Sequence, residues 1–188
     1  MANTEILNLR KKSPQPAAKW LSNGDDIFSY LENDRERFIP SMDLLTGLSN
    51  KIGFFENLKK EVDRTNRKLS TGGVIISIDL DNFADLQQRF GPKTRETSLK
   101  LISKTLVNHI RLMDTAARFH DDNFLILMPD ALGDEALRHA ESLVRKLNNL
   151  SFIMNGEEIN IRTSLGIVEF KPGDHLHDVW RKTGIAMA

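Results

Sequence analysis

The stretch Gly72–Phe83, GGVIISIDLDNF, decides the fold. Its two glycines break a preceding helical pattern, and Val74, Ile75, Ile76 and Ile78 then form a β-branched run long enough for a buried strand. Asp79 and Asp81 follow at the carboxyl end of that strand, where open α/β sheets place ligands and metals. Upstream, Ile52, Phe55, Leu58 and Val62 recur at helical spacing. Downstream, Leu99, Ile102, Leu106 and Ile110 share one helical face. Two short apolar stretches, TAARF and FLILM, flank HDDN (His120–Asn123) and read as a hairpin. Ala136, Ala140, Leu143, Val144 and Leu147 mark the inner face of another helix. FIMNGEEINI is a second hairpin, because Asn155-Gly156 supplies the positive backbone angles of a tight turn. RTSLGIVEF adds a strand, and DHLHDVWRKTGIAMA begins a last helix. This order predicts an α/β domain with a central mixed sheet layered with helices.

Composition narrows the function. The chain has 188 residues, 40% of them hydrophobic, which suits one domain plus an appendage. The 26 basic residues balance 26 acidic ones, against the basic surface of a general nucleic-acid binder, so any anionic ligand must be held locally. Without cysteine there is no disulfide framework, thiolate cluster or cysteine nucleophile. No apolar run approaches the roughly 20 residues that span a bilayer, and the amino terminus lacks the apolar core of a signal peptide. A soluble, cytoplasmic protein is expected.

Residues 1–40 form the appendage. Arg10, Lys11 and Lys12 stand beside Pro14 and Pro16 with no sustained period, which predicts a mobile arm. EILNLR within it reads either as solvated terminus or as a docking peptide. Trp20, Ile27, Phe28, Tyr30 and Leu31 predict a helix over about residues 24–37, capped by Asn23 or Asp25 and closed by Pro40. The domain proper is expected over 41–188.

Asp79 and Asp122, if their strands are neighbours, could converge on one divalent cation, since hard metals prefer carboxylate oxygen. Two such carboxylates are the minimum for nucleotidyl transfer. The structural alternative is that each simply caps a following element.

Beyond these residues the chain resembles a family. DLLTGLSNKIGF (Asp43–Phe54), DLDNF (Asp79–Phe83), Gly91, AARFHDDNFLILMP and TSLGI (Thr163–Ile167) match, in order and spacing, the landmarks of GGDEF domains, the diguanylate cyclases that condense two GTP into cyclic di-GMP. The resemblance covers about residues 43–188 and implies the palm-like fold of nucleotidyl cyclases. Against the Gly-Gly-Asp-Glu-Phe signature this sequence reads His120, Asp121, Asp122, Asn123, Phe124, retaining two of five positions. In the family the glycines let the backbone approach the nucleotide, and here both carry side chains. The acidic fourth position, which binds metal and removes a proton, is Asn123, whose amide offers no basic carboxylate.

Other departures agree. The family's Asn-Asp is Gln87-Gln88 and its later Gly-Asp is Arg95-Glu96, so the guanine contacts are displaced onto longer stems. The family's Lys and His at two further positions are Ala84 and Pro92. The sequence reaches Ala188 before the family's closing A-L-Y-x-A-K-x-x-G-R segment, whose cations contact the triphosphate. Each lost charge-assisted phosphate contact costs about 1.5–3 kcal/mol. The resemblance therefore implies a degenerate cyclase, with His120, Asp121, Asp122 and Asn123 as remnants of the catalytic turn and Asp79 and Asp122 as remnants of the metal site.

Many GGDEF domains carry an inhibitory product site, Arg-x-x-Asp, five residues before the signature. Here Arg111 and Asp114 in RLMD stand at that offset, with Thr115–Phe119 between Asp114 and His120. A guanidinium fork suits phosphate oxygens and the Hoogsteen edge of guanine, and a carboxylate accepts from guanine N1 and N2. The family's further arginine falls at Ser142, so Arg138 and Arg145 on the same helix are the candidates to replace it, or are simply solvated helix cations. No second histidine stands at ligand spacing to His120, so no zinc is expected.

The expected function is a non-catalytic receptor for cyclic di-GMP, with no cofactor, that signals to a protein partner through residues 1–40 and is open to ligand-linked dimerisation. The alternatives are a nucleotide-free interaction scaffold and a residual cyclase using Asp79 and Asp122 with one metal.

Overall fold

The computed structural model describes Leu7–Asn8 and residues 41–186 apart from Asn82. The helix expected within residues 24–37 and the basic run of the arm lie outside the described residues.

The strand expected from Gly72–Phe83 is β2 (Gly73–Leu80). It lies inside a five-stranded sheet of order β1-β7-β2-β4-β3, where β1 is Leu7–Asn8, β3 Thr115–Arg118, β4 Asn123–Pro129 and β7 Thr163–Phe170. Each ladder between these strands is antiparallel, and a parallel element comes from the isolated bridge of Ser49 to Ala117. The helices are α1 (Lys51–Asn66), α2 (Phe83–Phe90), α3 (Pro92–Val107), α4 (Gly133–Asn148) and α5 (Leu176–Ala186). The second hairpin, β5 (Ser151–Met154) and β6 (Glu157–Asn160), stands apart from the main sheet and turns through Asn155 and Gly156 at φ 52° and 82°.

Alternation along β2 and β4 divides the interior. Val74, Ile76 and Ile78 of β2, with Phe124, Ile126 and Met128 of β4, pack on Leu99, Ile102 and Leu106 of α3 and Ala136, Ala140 and Leu143 of α4. Ile75, Leu125 and Leu127 face the other way, onto Phe54, Phe55, Leu58 and Val62 of α1 and Val179 and Trp180 of α5. Both faces of β2 are therefore covered, which is why its sequence is a continuous apolar run rather than an alternating one.

The Asp43–Asn50 loop is held by its own polar groups. Asp43 accepts from the Thr46 amide (2.9 Å) and hydroxyl (2.7 Å), and Asn50 caps α1 by accepting from the amides of Ile52 and Gly53. Gly53 is required here, because a Cβ would lie 2.5 Å from the Ser41 carbonyl oxygen.

Phe55 is fully buried against Phe119 and Trp180, with ring centroids 6.0 and 4.5 Å away. Phe55→Ala should lower unfolding free energy by about 3–5 kcal/mol in denaturant titration. Leu112→Ala, at a fully exposed position, should change it by less than about 0.5 kcal/mol.

Candidate functional site

Register brings the expected carboxylates to one edge. Asp79 pairs with Asn123 across β2–β4 and with Ser164 across β2–β7, and the Asp122 carbonyl accepts from the Leu80 amide at 3.1 Å. Asp81 accepts from the Ser164 hydroxyl at 2.8 Å. Asp79, in β2, and Asp122, in the turn immediately before β4, thus lie at one end of the sheet.

The HDDN turn is tightly bound. The Asn123 carbonyl accepts from the amides of Phe119 (2.9 Å) and His120 (3.3 Å), while the Arg118 guanidinium donates to the Asp121 carbonyl (3.1 Å) and to Asp43 (3.3 Å). Although burial alone would raise the Asp43 pKa, the hydrogen bonds from Thr46 and Arg118 leave it below the ordinary carboxylate value. His120 packs edge-on against Phe119, with centroids 4.9 Å apart. Burial, seconded by the Lys51 ammonium, pushes the His120 pKa down and favours a neutral ring.

Arg95 of α3 forms a salt bridge with Asp121 and lies over the Phe83 ring at 5.7 Å. These two side chains, which the resemblance sets at glycine positions, meet between α3 and the turn. Their pairing was not foreseen from sequence, where Arg95 and Asp121 counted as separate departures. Asn123 is buried and its Oδ1 has no hydrogen-bond partner. Among the described residues no group of three His, Asp or Glu side chains converges to hold a metal. A divalent cation fits this donor set poorly: an amide stands at the acidic position, and an arginine claims the neighbouring carboxylate.

The RLMD turn lies at the opposite end of β3. Asp114 is 8% exposed, and its Oδ2 accepts from the Arg111 amide at 2.8 Å. Its Oδ1 is buried without a hydrogen-bond partner. Burial raises the Asp114 pKa, against the opposing pull of the Arg111 amide, the Arg111 guanidinium and His139. The Arg111 guanidinium instead reaches α4, where it meets Glu135 at 2.7 Å. Arg138 is exposed, and Arg145 lies 3.9 Å from Glu141 of its own helix. The α4 side chains found interacting with Arg111 and Asp114 are Glu135 and His139. Their separation of four residues signals a shared face, but it carries no meaning until α4 is known to cross the RLMD turn.

Comparison with known proteins follows this geometry. Residues 41–188 match the family model described as diguanylate cyclase, GGDEF domain. Diguanylate cyclase DgcP of Pseudomonas aeruginosa is 29% identical over 160 residues, covering 85% of this chain and 23% of that protein. The chain spans less than two fifths of the length of the first curated relatives it matches. The GGDEF domain of DgcB from Caulobacter crescentus, solved with c-di-GMP, superposes with a TM-score of 0.74 at 20% identity, covering 82% of this chain and 89% of that one. Diguanylate cyclase SiaD of P. aeruginosa, solved with its activator SiaC, gives 0.74 at 21% identity, covering 90% and 63%. These structural likenesses establish the palm-like fold.

A raised carboxyl pKa is a stability statement. The favourable contribution of such a group is complete below its unfolded pKa and is lost as pH rises through the folded one, so ionised Asp114 opposes folding at neutral pH. Asp114→Asn keeps an acceptor for the Arg111 amide and removes the charge. Its thermal midpoint should exceed that of wild type by a few degrees at pH 7, and the difference should shrink below about pH 4.

Proposed function

The chain belongs to the GGDEF family of diguanylate cyclases, and from that premise we propose that it is a non-catalytic receptor for cyclic di-GMP, acting through the RLMD turn and reporting to a protein partner. The observation that carries this reading is the contrast between two turns on one strand. At HDDN, Arg95 pairs with Asp121, and the turn's own buried atoms left without a partner are the Asn123 amide oxygen and the His120 Nε2, neither of them a carboxylate. At RLMD, a buried carboxylate oxygen is left without a partner.

Catalysis would need an acidic group where Asn123 stands and room for GTP where Arg95 meets Asp121. The retained Asp79 and Asp122 favour, as a second reading, a residual cyclase. In the receptor reading no cofactor is required. Arg111 exchanges Glu135 for a phosphate oxygen or a guanine Hoogsteen edge, and Asp114 accepts from the base. DgcB supplies a precedent for cyclic di-GMP on this fold, and SiaD for a protein partner. Leu7 and Asn8 pair with Ile167 and Gly166, which supports residues 1–40 as the segment whose arrangement answers to ligand. Ligand shifts that arrangement only as far as its affinities for the two states differ. Arg138 and Arg145 remain available to a second dinucleotide or a second chain. No helix among the described residues is long and apolar enough to cross a membrane.

Calorimetric titration tests the reading. Cyclic di-GMP should bind wild type and fail to bind Arg111→Ala; a silent titration of wild type, or equal binding to both, refutes it. Glu135→Ala frees the guanidinium from an exposed ion pair worth at most about 1 kcal/mol, so affinity should rise by up to about fivefold. Incubation with GTP and magnesium or manganese should yield no cyclic di-GMP by chromatography, and clear turnover would establish the residual cyclase instead.

A further inference from the structure

The RLMD turn carries an apolar tip. Its ends are tied twice: the Asp114 amide donates to the Arg111 carbonyl at 3.1 Å, and the Arg111 amide donates to the Asp114 carboxylate at 2.8 Å. Between these ties Leu112 is fully exposed and Met113 about half exposed, and Val107, the last residue of α3, is about half exposed too. Three of the seven large apolar residues that stand exposed among the described residues thus fall within one seven-residue stretch, 107–113. A lone exposed apolar side chain is ordinary, whereas a cluster rimmed by polar groups marks a surface that meets another protein. The rim here bears both signs of charge. Arg111 and Glu135 meet at 2.7 Å while their side chains stay 42% and 64% exposed.

We propose that this face is a self-association surface whose occupant is a second copy of this chain. The two copies pack about a two-fold axis, so that Leu112 and Met113 of each cover those of the other and Arg111 of each lies opposite Glu135 of the other. A purely acidic or purely basic partner would satisfy one charge of the rim and repel the other. A two-fold axis sets each residue against its counterpart's neighbour and the reverse, so a rim with one charge of each sign is matched by itself. The intrachain pair, being exposed, holds its members weakly and can be shared across the axis. The double tie of the turn fixes the tip in advance, which lowers the cost of ordering it on contact. No ligand bridges the copies in this arrangement.

Sedimentation velocity of the full chain without ligand, over a concentration series and with thermal melts to establish folding, tests the face. A contact centred on one turn and one helix lies at the small end of protein interfaces, so wild type should dimerise with a dissociation constant on the order of 100 μM. Leu112→Lys should raise that constant by about tenfold or more. Arg111→Glu and Glu135→Arg, each alone, set like charges opposite each other across the axis and should stay monomeric over the same range. Mixed in equal amounts they should form a heterodimer, because each supplies the charge the other lacks. The intrachain pair is broken in both variants, so recovery on mixing can come only from contact between copies. A mixture that stays monomeric while wild type dimerises, or a Leu112→Lys variant that dimerises like wild type, overturns the proposal. Wild type that remains monomeric at about 1 mM also overturns it and leaves the face to an unlike partner. Because no ligand enters, each result stands apart from the receptor reading.

Discussion

The rest of the structure depends on the double pairing of β2. Eight of its residue positions are in register with β7 and seven with β4, so its backbone is held from both sides. Its two faces are sealed by separate apolar clusters. A slip of one residue would exchange those faces and put Ser77 and Asp79 among the side chains of α3 and α4. The position of Asp79 relative to Asn123 and Ser164 is therefore a property of the whole sheet. No loop adjustment could restore it or spoil it.

β3 gives the molecule its functional geometry. It has four residues, and at about 3.4 Å each they separate its two terminal turns by roughly 13 Å. One turn carries the ion pair of Arg95 with Asp121, and the other a buried Asp114 oxygen without a hydrogen-bond partner. The strand between them is fixed to β4 along its length and, at Ala117, to Ser49 of the loop before α1. The two turns thus share a rigid support.

Much of this was legible in the sequence, for identifiable reasons. The β-branched run announced β2, Asn155-Gly156 announced its hairpin, and helical spacing announced α1, α3 and α4, because local periodicity reports burial directly. Asp79 and Asp122 could converge only if their strands were neighbours; the ladder pairs Asp79 with Asn123, the residue after Asp122. The contacts of Arg95 with Asp121 and of Arg111 with Glu135 were not legible. Each joins residues more than twenty positions apart through the packing of a helix on a turn, and no local pattern encodes that crossing. Arg138 and Arg145 drew notice as cations, while an acid of α4, Glu135, is what pairs with Arg111. Charge type is visible in a sequence; the face of a helix that meets a given turn is decided only when the core packs.

The contact between Arg111 and Glu135 also bears on ionic strength. A ligand arriving at a bare guanidinium gains a new charge pairing, and dissolved salt weakens it. In the proposed receptor one anion would replace another on the same cation, and screening would loosen the resident carboxylate as much as the incoming phosphate. The occupancy of such a site would follow the concentration of its ligand while the surrounding electrolyte rises or falls.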